Sequence, residues 1–194
     1  MRTAIWFLLL AQALPAQEIT GVSTQWSNSF VAWDLFTTEV IEPETDSTDA
    51  EVEEVKIGEI KQRWLDAKED WTEWDFEIQA RQGTIKLKWK NDPSSWELRT
   101  FDGDIVTMKT IWSGDFSQWR IANGDISLDF KSRYTSDFGE WNVTDRKYGS
   151  YKVAVQYAND PRDWVVTDEL SAEIPVSLKA AMVFIVIYNS SPKK

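Results

Sequence analysis

Apolar residues recur at every second position through much of this chain, and the clearest run begins at Trp74. Trp74, Phe76, Ile78 and Ala80 alternate with Asp75, Glu77, Gln79 and Arg81. Because successive side chains of a strand point to opposite faces, the pattern predicts a strand with one buried face. Gln82-Gly83 is read as the turn that follows. Ile85, Leu87 and Trp89 then return on the apolar side, with Thr84, Lys86, Lys88 and Lys90 outside. The same alternation opens the body of the chain at Thr20, Val22, Thr24 and Trp26, and continues in Leu98, Val106, Met108, Ile121, Leu128, Phe130, Val143, Tyr151 and Val153.

Between paired runs lies a repeated corner, an aromatic pair seven residues apart. Trp112 to Trp119 is one, and Trp26 to Trp33, Trp89 to Trp96, Tyr134 to Trp141 and Tyr157 to Trp164 match it; Trp64 to Trp74 has three extra residues. The closing tryptophans fall at 74, 96, 119, 141 and 164, steps of 22, 23, 22 and 23 residues. A fixed period of this length is the signature of a repeat architecture, here one hairpin per unit. Opposite the corners, Phe101-Asp102-Gly103-Asp104, Asn123-Gly124 and Lys147-Tyr148-Gly149 read as tight turns. Strands joined by tight turns at both ends pair only with their neighbours. The expected fold is therefore all-β, an antiparallel up-and-down meander of about 12–14 short strands, closed as a flattened barrel or a two-layer sandwich. The period is similar to that of other short hairpin-repeat families, MORN repeats and choline-binding repeats among them. Their glycine spacing is not reproduced, so no activity or ligand is carried over.

Three stretches depart from the repeat. Residues 1–16 run from Met1-Arg2-Thr3 through an apolar segment to small residues at Ala11, Ala13 and Ala16, the order of a secretory signal peptide. Cleavage is placed after Ala16, with Ala13 as the alternative. Residues 17–194 are then one domain, secreted or periplasmic. Residues 39–56 form an insertion in which Glu39, Glu42, Glu44, Asp46, Asp49, Glu51, Glu53 and Glu54 precede the first base. Such a composition buries too little apolar surface to order itself, so disorder is expected. Finally, Met182-Val183-Phe184-Ile185-Val186-Ile187-Tyr188 is apolar on both faces and follows alternating Ala172, Ile174, Val176 and Leu178. It is read as the strand that closes the sheet.

The formal net charge is −11, but the body outside the acidic stretch and Arg2 holds 24 acids against 20 bases. Nucleic acid, which needs a basic face, is not an expected partner. The chain has no Cys and no His. That removes disulfides, imidazole base catalysis and the Ser-His-Asp and Cys-His arrangements. No cofactor or metal site is expected, although calcium in the acidic stretch is an alternative, and the chain is not expected to be an enzyme. The function expected is an exported binding or structural module with an extracellular glycan or envelope protein as partner. The alternatives are a carboxylate-based glycoside-active enzyme and a small outer-membrane β-barrel.

Candidate residues follow from the corners. Asp92, Asp115, Asp137 and Asp160 each stand three residues into a corner, where a carboxylate caps the backbone N–H groups of a turn. The frame aromatics Trp89, Trp96, Trp112, Trp119, Tyr134, Trp141, Tyr157 and Trp164 are expected in the core. Trp71, with Asp66, Glu69 and Asp70 in the lengthened corner, falls outside the frame and is the expected binding site, since local violations of a regular pattern collect at functional sites.

Overall fold

The computed structural model describes residues 18–41, 51–64 and 71–192. These residues form a closed antiparallel barrel around one helix. Its first half comprises β1 (Gly21–Trp26), β2 (Ser29–Ile41), β3 (Glu51–Gln62), β4 (Glu73–Ile78), β5 (Arg81–Leu87) and β6 (Ser95–Thr100). The second comprises β7 (Ile105–Thr110), β8 (Gln118–Asn123), β9 (Ile126–Tyr134), β10 (Asp137–Asp145), β11 (Gly149–Tyr157) and β12 (Asp160–Leu170). Each strand pairs with its sequence neighbours, and β1 closes on β12 through Gly21 opposite Val165, Val22 opposite Trp164 and Ser23 opposite Asp163. The up-and-down meander is thus a barrel of 12 strands rather than a sandwich.

The period-two pattern sorts the two walls. Trp74, Phe76, Ile78, Ile85, Trp96, Leu98, Met108, Trp119, Ile121 and Phe130 point inward and are buried. The outward positions carry cross-strand ion pairs, such as Arg120 with Asp129 at 3.0 Å, Lys86 with Glu73 at 3.2 Å and Lys152 with Glu140 at 3.2 Å. Exposed pairs of this kind contribute a few tenths to ~1 kcal/mol each.

One turn lies elsewhere than the sequence suggests. The β4–β5 hairpin turns at Gln79-Ala80, with Gln79 at φ 56°, while Gly83 lies within β5 opposite Phe76. A Cβ at Gly83 would come 2.1 Å from the Arg99 carbonyl oxygen and 2.6 Å from the Phe76 ring. The glycine is there for close approach inside the wall, not for a turn.

The expected closing strand is a helix. Val176–Ser190 forms α1, which runs through the barrel with Leu178 and every residue from Ala180 to Tyr188 buried. An apolar run cannot be assigned by periodicity alone, because a strand covered on both faces and a helix covered all round write the same sequence. The surroundings decide here, overriding the strand preference of Val and Ile. Phe184 packs edge-on against Trp74 and Trp96 at centroid distances of 5.7 and 4.9 Å, and Tyr188 against Trp96 at 4.7 Å. The last carbonyls are satisfied locally: Ser191 donates its Oγ hydrogen to the Ile187 oxygen at 2.6 Å, and Asn189 its Nδ2 to Ile185 at 2.8 Å.

The acidic insertion also differs from expectation at its flanks. Glu39 and Val40 pair with Glu53 and Val52, so β2 and β3 carry the ladder through residues expected to be disordered. Continuing an existing ladder needs no apolar core of its own. Residues 42–50 and the expected signal segment 1–16 lie outside the described residues.

At its N-terminal end the helix is held by polar contacts. Ser177 Oγ donates to Asp104 at 3.3 Å, and Lys179 Nζ lies 2.5 Å from Asp168, whose side chains are 12% and 1% exposed respectively. Removing one member of so buried a pair strands the other charge. Lys179→Met should destabilise the barrel by about 3 kcal/mol in urea titrations, and Asp168→Leu added to it should recover most of that loss.

Candidate functional site

The six corners that join β1 to β2, β3 to β4, β5 to β6, β7 to β8, β9 to β10 and β11 to β12 all lie on one rim. Each is organised by its closing tryptophan. The indole Nε1–H of Trp33, Trp74, Trp96, Trp119, Trp141 and Trp164 donates to the carbonyl three residues earlier, at Phe30, Trp71, Pro93, Phe116, Phe138 and Pro161, over 2.8–3.1 Å. These six indoles are at most 2% exposed. The bond satisfies a buried N–H and a turn carbonyl together.

Trp71 is therefore not outside the frame. It occupies the place held elsewhere by Phe30, Phe116, Phe138, Pro93 and Pro161, and its ring lies 5.6 Å from that of Trp74, much as Phe30 lies 5.9 Å from Trp33. Counting back three residues from Trp74, rather than forward from Trp64, reveals it. Its indole N–H is buried and has no partner among the described residues. Asp66, Glu69 and Asp70 lie outside the described residues, so no site can be drawn around them.

The corner aspartates do the turn chemistry expected of them. Asp92 Oδ1 accepts from the backbone N–H of Ser94 at 3.0 Å and from its hydroxyl at 2.5 Å. Asp115 accepts the same two bonds from Ser117, and a third from Gln118 Nε2 at 3.0 Å. Asp160 accepts three from Arg162, through its backbone N–H, Nε and Nη2. Asp137 accepts one, from Gly139 N at 2.9 Å. The bonds from Ser94, Ser117 and Arg162 hold Asp92, Asp115 and Asp160 below the usual aspartate range.

The first aromatic of each pair behaves differently from the second. Trp26, Trp64, Trp89, Trp112, Tyr134 and Tyr157 are between 46% and 64% exposed. The expectation that all twelve frame aromatics are core holds only for the closing members. The reason is position along the strand. Trp89 stands past the last residue of β5, Leu87, and Trp112 past the last of β7, Thr110, while Trp26, Tyr134 and Tyr157 are the final residues of their strands. Inward parity there points to the mouth of the barrel and not to its core. Among the described residues none of these six rings stacks on another, and the indole N–H groups of Trp26, Trp89 and Trp112 have no partner.

Comparison with family models, curated proteins and solved structures gave no match. What the rim can do is therefore a matter of its own chemistry. It presents four indoles and two phenols in a ring, with adjacent corners two strands apart, about 10 Å. Between the corners at Tyr134–Trp141 and Tyr157–Trp164 it opens into a cleft of about 500 Å³, lined by Tyr134, Asp137, Gly139, Asn159, Asn189 and Ser190 among others. A second hollow, about 530 Å³, lies on the outer wall of β8 to β10, where Arg120, Asp129 and Lys131 already pair with one another. Among the described residues no three acidic side chains gather to hold a metal. Tyr151 is a buried titratable group of the interior; burial first, and Asp168 second, push its phenol well above the ordinary range, so it stays neutral.

Two measurements check these assignments. Trp96→Ala should cost about 4 kcal/mol in chemical denaturation, through the cavity and the lost indole, whereas Trp89→Ala should stay within about 0.5 kcal/mol. A folded-state pKa held low means the Asp115 contribution is full above about pH 4 and disappears as pH falls through the folded value. Asp115→Asn should accordingly flatten the fall of the melting temperature below about pH 4, while lowering the plateau above it.

Proposed function

We propose that this is an exported, non-enzymatic binding barrel that holds a carbohydrate against its corner rim. The observation that carries the reading is the ring of six exposed aromatics on one end of a rigid scaffold. Planar aromatic faces suit the apolar faces of sugar rings, and a large exposed side chain repeated at every corner has no role in the core. The free indole N–H groups add donors for ring hydroxyls. The ion-paired outer wall supports a water-facing barrel over the membrane alternative, since a lipid-facing wall requires an apolar band. The net charge of −11 disfavours acidic polymers.

The test is a panel of soluble oligosaccharides read by tryptophan fluorescence and calorimetry, with the envelope fraction of the host as a parallel bait. Trp89→Ala and Trp112→Ala should each weaken the bound glycan by about fivefold, for a stacking contribution near 1 kcal/mol, with the melting temperature unchanged. Turnover of the bound sugar would overturn the non-enzymatic reading. A protein captured through the rim, with no glycan bound, would replace the carbohydrate.

A further inference from the structure

The corner repeat changes over its last two corners, and the change coincides with the cleft. Four successive corners present tryptophan at the exposed position; the last two, which flank the cleft, present Tyr134 and Tyr157. The residue two after the corner aspartate is Ser94 and Ser117 in the two corners immediately before, where its hydroxyl bonds the carboxylate. In the next it is Gly139. The missing hydroxyl leaves Asp137 with the single bond from Gly139 N, against two for Asp92 and three each for Asp115 and Asp160. A carboxylate has room for about four such bonds.

The glycine also keeps the cleft open. A Cβ there would lie 3.1 Å from Asp137 Oδ1 and 3.5 Å from Val155, on the cleft wall. From the other side the end of α1 reaches the rim, where Ser190 Oγ lies 3.5 Å from the Phe138 carbonyl oxygen and Asn189 uses only its Nδ2 on the helix. The carboxamide oxygen of Asn189 and the side chain of Asn159 remain as polar groups of the same cleft. Glu140, also on its wall, is occupied by Arg133 and Lys152, both at 3.2 Å.

Resting on the carbohydrate reading above, we infer that this cleft is the anchoring subsite for one hexose of a neutral glycan. Tyr134, which carries the Arg133 guanidinium over one face at 5.4 Å, offers its other face for stacking, and the second oxygen of Asp137 is the acceptor for a sugar hydroxyl. The remainder of the chain lies along the neighbouring exposed tryptophans, which supply area rather than orientation. Among the described residues Asp137 has no ion-pair partner, and the cation beside the cleft, Arg133 over the Tyr134 ring at 5.4 Å, is already paired with Glu140; the recognised residue is therefore uncharged.

The experiment uses two substitutions, the first of which the fold already carries in other corners. Gly139→Ser copies the corners at Ser94 and Ser117, restoring the hydroxyl bond to the carboxylate and narrowing the cleft. Asp137→Asn keeps an oxygen for the turn N–H but turns the second acceptor into a donor. Calorimetric titration uses soluble oligosaccharides of a neutral glucan, of its amino-sugar counterpart and of a uronic acid polymer. The full-length mature protein should bind the neutral series, and both variants should weaken it about tenfold or more at unchanged melting temperature. If Trp89→Ala weakens binding while both cleft variants bind as the parent does, the anchor is wrong and the rim reading stands. If no oligosaccharide binds the parent protein, the rim reading fails and this subsite with it. Equal or tighter binding of the acidic series would overturn the neutral assignment.

Discussion

A closed sheet of twelve strands encloses more room than the side chains of its own walls can fill, and the whole molecule is arranged around that geometric fact. Barrels of about eight strands are just filled by their inward residues; wider ones need a ligand, water or a piece of chain. Here α1 fills the axis, and close packing demands that every side of it be apolar. That requirement explains why the run from Ala180 to Tyr188 has no polar face, and why its few polar neighbours, Ser177 and Lys179, sit at the entry end and bond Asp104 and Asp168. Those two contacts fix the depth and the rotation of a helix whose remaining surface is featureless. The walls answer with the largest side chains available, as Trp74 and Trp96 meet Phe184 edge to face.

Within each corner the two aromatics divide the work. The closing tryptophan spends its burial on the core and its N–H on the turn, so that turn geometry and core packing are set by one residue. The carboxylate or hydroxyl at Asp92, Asp115, Asp137, Asp160 or Ser29 holds the same turn from the polar side. A corner pinned from both sides holds its first aromatic at a set place on the rim. In the corners described throughout, the exposed rings therefore stand at regular intervals on backbone that is already set, and under the proposed reading this lowers the entropic cost of recognition.

The hairpin units, their antiparallel order and turns such as Asn123-Gly124 could be read directly, because period-two alternation and left-handed turn residues act locally. Gly124 does adopt a φ of 53°. Gly83 could not be placed the same way: glycine signals either a turn or a close approach, and only the position of the Arg99 carbonyl distinguishes them. The helix at Val176–Ser190 was hidden because burial on all sides erases periodicity of either kind. At the rim, parity along the strand gave the right direction for Trp89 and Trp112 but not the right depth. Depth depends on where the ladder ends, which no alternation records. The lone bond to Asp137 was written in the sequence as Gly139 where the two preceding corners carry Ser94 and Ser117, yet its meaning required the neighbouring corner and the end of the helix to be in place.

The position of α1 in the chain also governs when this protein can become compact. All the ladders but one join neighbouring hairpins and can zip within microseconds of being made available, whereas the seam joins Gly21 to Val165 across nearly the whole chain. The filler of the interior is encoded after all twelve strands. Until it arrives, the growing meander is a trough lined with tryptophan and bounded by two unpaired edges, a form prone to stick to other chains. Compaction consequently waits on α1: the meander has to be kept apart from other chains until that helix docks.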